Sequence, residues 1–189
     1  EVGNSQEVTN LLWSLACLGL FNVKAYHGMI EFLWEAAFLM PPASFANKEC
    51  NQLRQIYTAS LIEGQGGLKL KSIPSDLLME INKANVGSAE SKYHIEISML
   101  LTELGFVHRN EVSPFRDGGS TVFPDCDKFI SIQMANVEEK IAVQFAGSYN
   151  FLGGETGRTQ KGKATMKSRL LESLGWKVLI IPWHEWKEF

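Results

Sequence analysis

The chain has no excess of positive charge. Its 189 residues carry 18 Lys and Arg against 21 Asp and Glu, a formal charge of −3, and the isoelectric point lies near 5.8. A polyanionic ligand therefore gains nothing from the overall field and would need a local cluster of cations. Cysteine is scarce as well: Cys17, Cys50 and Cys126 are far apart, odd in number and form no C-x-x-C pair. That pattern argues for reduced thiols and against a disulfide framework or a zinc site. Long apolar runs are also missing. The longest, around Ile30 to Met40, is interrupted by Glu31 and Glu35 and stopped by Pro41-Pro42, so no membrane span is expected. The glycines at Gly64-Gln65-Gly66-Gly67 are followed by no G-K-[ST] and preceded by no buried strand, which sets aside a phosphate loop.

What is present is a soluble globular composition, long enough for one domain or two small ones. The first part reads as helix only. Asn4 or Ser5 can cap a helix whose apolar residues Val8, Leu11, Leu12, Leu15 and Leu18 follow the helical period up to Gly19. A second helix is expected from Asn22 to Met40 on Ala25, Met29, Phe32, Leu33, Ala36 and Ala37, ended by the paired prolines. Trp13, Trp34 and Phe38 fall outside the main stripes, which suggests a further layer against this hairpin, as in one unit of a helical repeat array. A third helix is predicted over Ala43 to Glu63, with Leu53, Ile56, Tyr57, Ser60 and Leu61 on one face, and a short fourth from Ser75 to Lys83. Asn85 to Ser88 reads as a linker. The expected division is thus residues 1–87 and residues 88–189.

After Ser88 the texture becomes mixed. A helix from Ala89 to Leu104 precedes a strand within Phe106 to Phe115, a turn at Arg116-Asp117-Gly118-Gly119, and a strand near Phe129 to Met134. Asn136 to Glu139 forms a turn, Lys140 to Gly147 is apolar on both faces as a central strand should be, a helix runs from Lys163 to Leu174, and Lys177 to Pro182 is a buried strand. The order is helix, three strands, helix, strand. The fold class is α+β overall.

The densest basic cluster is Arg158, Lys161, Lys163, Lys167 and Arg169. A cluster of this kind is often a solvated face. At 100° per residue, however, Lys163 and Lys167 share the stripe of Met166, Leu170 and Leu174 that must face the sheet. The stripe is then apolar at one end and cationic at the helix start, where an anion such as phosphate fits beside free N–H groups. The alternative is that both lysines reach past the sheet edge to solvent. The loop between Gly147 and Gly162 is long for a compact domain, and Tyr149, Asn150 and Phe151 in it could stack on or hydrogen-bond to unpaired bases, although Phe151 could equally anchor the loop. Trp176, Trp183 and Trp186 flank a buried strand and are expected to pack it. His94, His108 and His184 lack metal-ligand spacing and are read as structural or exposed. Metal-dependent phosphodiester cleavage needs two or three converging acids. Asp125, Asp127, Glu90 and Glu96 could supply some, but the central strand offers Gln144-Phe145-Ala146, an amide and a methyl where a charged ligand is needed. No metal and no cofactor is expected.

Lys140 to Glu185 resembles the RAP domain, an RNA-binding domain abundant in apicomplexans and found in organelle proteins of algae, plants and animals. The resemblance is carried by KIAVQFAG at Lys140 to Gly147, TGRTQKGKATMKSRLLESLGWKV at Thr156 to Val178, and IPWHEW at Ile181 to Trp186. It implies a small fold like that of restriction and mismatch-repair endonucleases, in the order α-β-β-β-α-β. Members carry an acidic E-V-D-G-P-S-H run where this chain has Gln144, Ala146, Ser148, Tyr149 and Asn150 at the matching positions, so the resemblance does not by itself imply nuclease activity. The segment NSQEVTNLLWSLACLGLFN resembles the degenerate helical repeats that precede RAP domains in Fas-activated kinase-like mitochondrial proteins and in algal and apicomplexan repeat proteins. Together the two imply an organelle-targeted protein acting on mitochondrial or plastid RNA. Joined to the basic helix face and the loop, they give a non-catalytic binder of rRNA or mRNA with Arg158, Lys161, Lys163, Lys167, Tyr149 and Asn150 as its contacts; a scaffold subunit of a large assembly, or a metal-dependent endonuclease using Asp125 or Asp127 with Glu90, are the alternatives. Ribosomal or other ribonucleoprotein subunits would be further partners, and no membrane is involved. With Glu1 in place of an initiator methionine, the chain is expected to be a processed or partial polypeptide whose remaining repeats lie before it.

Overall fold

Asn4 opens the first helix, α1 (Ser5–Cys17), through a reciprocal cap. Its Oδ1 accepts from the Glu7 N–H at 3.0 Å, and the Glu7 carboxylate accepts from the Asn4 N–H at 3.0 Å. The computed structural model describes residues 3–64, 67–84, 92–115 and 129–187, and the chain divides into two units, Glu1–Val86 and Gly87–Phe189. Expectations placed on Gln65, Gly66, the linker at Asn85 to Ser88, Glu90, the turn at Arg116 to Gly119, Asp125, Cys126 and Asp127 lie outside the described residues.

The first unit is helical: α1, α2 (His27–Phe38), α3 (Asn47–Glu63) and α4 (Ser75–Lys83). The second helix starts five residues later than its periodicity suggests. Gly19 takes the left-handed conformation (φ 74°), and the chain then makes two 3-10 turns, pinned by fully buried Phe21, whose carbonyl oxygen lies 3.0 Å from His27 Nε2. The third helix likewise starts at Asn47, not Ala43, because Pro42 to Ser44 close a separate 3-10 turn and Phe45 is extended. Helix α4 is capped by Pro74 backbone, with Ser75 already inside it. Leu12, Ile30, Trp34, Leu53, Ile56 and Ile81 form the fully buried centre. Trp34 stacks on Tyr57 at 5.8 Å, meets Phe38 edge-on at 5.2 Å and donates to the Lys71 carbonyl at 2.8 Å. The layer that covers the hairpin's surplus aromatics therefore comes in part from the same unit. Trp13, half-buried, donates to Gln55 on α3 at 2.9 Å. Leu11, Leu18 and Leu61 stay exposed although their spacing places them near the apolar stripes, as do Phe32 (62% exposed) and Leu39 (87%).

The second unit contains α5 (Lys92–Glu103), β1 (Arg109–Val112), β2 (Ile132–Asn136), β3 (Ile141–Ala146), α6 (Gly162–Ser173), β4 (Lys177–Pro182) and a terminal helical turn, Trp183–Trp186. The protein is thus α+β, with helices first and a mixed four-stranded sheet after them, in spatial order β1-β2-β3-β4. The first two pairings are antiparallel and β3 pairs β4 in parallel, so α6 is the crossover between them. One core, Ile132, Ala135, Ala142, Leu171 and Trp176, joins the sheet to α6. The other, Ile97, Met134, Val143 and Phe145, joins it to α5 and takes Trp183 and Trp186 against it.

Strand β1 is much shorter than Phe106 to Phe115. Gly105 ends α5 in the left-handed conformation (φ 79°), and the Phe106 N–H is spent on the Leu101 carbonyl at 2.9 Å, a helix-ending bond. At the other end the Pro114 carbonyl accepts from Trp176 Nε1 at 3.3 Å. Strand β2 begins at Ile132 after buried Phe129 and Ile130, and Asn136 Oδ1 accepts from the Glu139 N–H at 2.9 Å in the turn to β3. Lys140, at φ 52°, donates from Nζ to the Leu174 carbonyl at 3.1 Å, so it closes the end of α6.

Candidate nucleic-acid interface

The segment from Ser148 to Lys161 is ordered by its own ladder. Leu152 N–H donates to the Thr159 carbonyl at 2.8 Å, Lys161 N–H donates to the Asn150 carbonyl at 2.7 Å, and Phe151 pairs with Gln160. Two 3-10 turns, Ser148–Asn150 and Gly154–Thr156, complete a small hairpin. Phe151 anchors it: the ring is 2% exposed and meets His184 edge-on at 5.5 Å. Tyr149, in contrast, is 72% exposed. Of the two roles open to these aromatics, Phe151 takes the anchoring one and Tyr149 stays on the surface.

The hairpin ends on the start of α6, whose N-cap residue is Lys161. Helix starts ordinarily carry Ser, Thr, Asp or Asn there, to accept from the first free N–H groups. Here no side chain caps the helix. Between Thr156 and Arg169 there are five cations and no carboxylate. Lys71, Lys83 and Lys92 pair with Glu35, Glu80 and Glu96, but the side chains of Arg158, Lys161, Lys163 and Lys167 form no ion pair with any described residue. The start of α6 thus combines backbone N–H groups that no side chain caps with exposed Lys161 and Lys163, an arrangement that suits an anion supplied from outside.

The structure separates the two lysines that share the helical stripe. Lys163 is exposed, so it is not tucked against the sheet, whereas Lys167 is half-buried. Desolvation by burial pulls the Lys167 ammonium down to about 8 from its usual 10.5, Glu111 pushes it back up, and Lys163 lowers it further. The group is therefore protonated at neutral pH and loses its proton about two units earlier than an ordinary lysine. A phosphate held by Lys167 should be released as pH rises from 7 to 9, and Lys167→Arg should flatten that profile, since guanidinium does not titrate there. Binding isotherms across this range, with and without the substitution, check it. The stability sign is opposite. Because the folded value lies below the unfolded one, the unfolded chain binds the extra proton between about pH 8 and 10.5, and stability rises with pH through that window.

Glu111 is the residue that sequence reasoning missed. It sits at φ 50° in β1, where its carboxylate accepts from Ser131 Oγ at 2.9 Å and lies 3.7 Å from His94 Nδ1. His94 is buried, with Nε2 3.2 Å from the Gln133 carbonyl, and is a structural residue as expected. His108 is tied to Ser98 at 2.8 Å and to the Phe106 carbonyl at 2.9 Å. Nothing in the run RNEV marks Glu111; only the sheet register brings it near Lys167. Gln144, 9% exposed, donates from Nε2 to the Ser131 carbonyl at 3.4 Å, and the Gln133 side chain accepts from the Phe145 N–H. Among the described residues, these place one carboxylate, Glu111, already bonded to Ser131, with the Gln144 amide and Lys167 as its neighbours. Among the described residues no three His, Cys, Asp or Glu side chains converge to hold a metal, and Glu90, Asp125 and Asp127 lie outside them.

The second unit is thus an α/β layer arrangement, a mixed sheet between α5 and α6, with a cationic start of α6 that no side chain caps. Residues 143–189 match the RAP domain family. The matched stretch runs from β3 through the hairpin and α6 to the terminal turn, so it contains every candidate contact residue. It points to RNA as the anion. No curated protein matches the chain.

Proposed function

We propose that this protein is a non-catalytic organellar RNA-binding protein. Arg158, Lys161, Lys163 and Lys167 hold backbone phosphates of a mitochondrial, or alternatively plastid, rRNA or mRNA, and the bound RNA is stabilised or presented for processing, as within a ribosome or another ribonucleoprotein. The observation that carries this reading is the helix start at Lys161, uncapped by any side chain, with no carboxylate between Thr156 and Arg169. RNA phosphate is the polyanion that such a site fits, and the RAP match supports that ligand. Gln144 and Ala146 on β3 favour holding over cutting, because neither supplies the anionic carboxylate on which a catalytic divalent cation is usually held.

Titration of the chain with a single-stranded oligoribonucleotide over a salt series tests it. Four phosphate contacts give a slope of about −2.8 in log K against log salt, and the RNA should stay intact in Mg²⁺ or Mn²⁺. Salt-insensitive or absent binding defeats the RNA reading, and metal-dependent cleavage defeats the non-catalytic part of it. A second reading, a protein-interaction subunit of a large assembly, is favoured by exposed Phe32 and Leu39 on the helical unit.

A further inference from the structure

We propose that the hairpin at residues 148–161 carries a nucleobase-stacking site, with Tyr149 as its platform and Leu152 beside it, so that the RNA bound is unpaired and not duplex. This rests on the RNA-binding reading above and adds the class of ligand. Tyr149 (72% exposed) and Leu152 (56%) are the large apolar side chains that the hairpin leaves on its surface. An aromatic ring that merely packs a loop is covered, as Phe151 is. Tyr149 is instead held from beneath. A side chain on Gly147 would come within 2.7 Å of the Tyr149 Cε1 atom, so the bare backbone at Gly147 is what lets the ring rest there.

Charge decides what occupies the platform. The Asn150 carbonyl, next in sequence to Tyr149, is bonded at 2.7 Å to the N–H of Lys161, the N-cap of α6. The ring therefore lies one residue from the cationic helix start. A ligand that reaches both must pair a flat apolar face with a negative charge a short distance away, and a nucleotide with its base swung out does so. A duplex presents phosphates, but its bases are stacked on one another and unavailable. The Asn150 side-chain amide makes no hydrogen bond to any described residue, which leaves it for a base edge in this proposal. Because the ladder and the Phe151 anchor fix the hairpin beforehand, little ordering is left for binding to accomplish.

The test uses the whole chain with three probes: a mixed-sequence single-stranded oligoribonucleotide, the same strand annealed to its complement, and the same strand with abasic sites. Tyr149→Ala should weaken the first probe about 5- to 100-fold, the range of one base–aromatic stack, with the salt slope unchanged. Tyr149→Phe should stay within about twofold, because the stacking face is kept. The duplex and the abasic strand should bind more weakly than the intact strand and be indifferent to Tyr149→Ala. Tyr149 is exposed, so folding of the variant is expected and a thermal melt verifies it. If Tyr149→Ala binds the single strand as the wild type does, or loses all three probes equally, the stacking site is wrong while salt-sensitive RNA binding stands. If the wild type binds none of the probes in a salt-sensitive way, the stacking site and the RNA-binding reading fall together.

Discussion

Replacing Lys161 and Lys163 together by glutamate should weaken RNA binding about 100-fold, equivalent to ~2.7 kcal/mol. Both side chains are exposed and neither is paired to a carboxylate, so the substitutions break no internal contact. Two phosphate contacts are lost and two like charges face the ligand in their place. The salt slope is therefore expected to fall by about 1.4, since each single-strand contact contributes ~0.7. Fluorescence anisotropy at several salt concentrations reads both quantities, and a thermal melt should show an unchanged fold. If the protein instead acts as a scaffold, the variant assembles with its protein partners as before and its affinity for RNA is beside the point. An unchanged affinity with an unchanged slope would remove the helix start from the interface.

Gly157→Ala is expected to cost about 1–3 kcal/mol and to weaken RNA binding as well. The reason is space and not backbone freedom, because φ at Gly157 is −78°, which any residue adopts. A methyl group there would overlap the Leu152 carbonyl oxygen, the nearest backbone atom across the hairpin. The Leu152 carbonyl cannot move independently, because its own N–H is bonded to Thr159 and the adjacent Phe151 is buried against His184. Separating the two arms would carry Tyr149 away from Arg158 and Lys161. Urea denaturation and RNA titration of the same variant measure the two effects, and preservation of both would show that the hairpin yields locally.

The sequence made some of this plain and hid the rest. The limits of β4 are visible in KVLIIP, but the buried strand expected there is not what forms: β4 lies at the edge of the sheet, Lys177 and Leu179 are exposed (Leu179 53%), and the other four residues are only partly covered. Of Asn4 and Ser5, the two caps the sequence offered for the first helix, the structure uses Asn4. Hidden were the features set by contacts distant in sequence. Strand β1 is cut short because the Phe106 N–H is used by the end of α5 and the Pro114 carbonyl by Trp176. The late start of α2 depends on Phe21 reaching the core. The basic site was half legible. Composition located the cations and helical periodicity aligned Lys163 with Lys167. A wheel projection does not say where the sheet ends beneath a helix, and that boundary leaves one lysine in water and encloses the other. Glu111 and its bond to Ser131 belong to the same class of pairings across the fold.

Phe151 under His184 also has a consequence in time. The chain is made from its first residue to its last, so the arms of the hairpin leave the ribosome before the ring that covers their anchor. The ladder of the hairpin forms between near neighbours, whereas its anchor is covered only when β4 pairs with β3 and the terminal turn closes. The shape of the hairpin is thus set locally, and its seat against the sheet is set by residues translated after it.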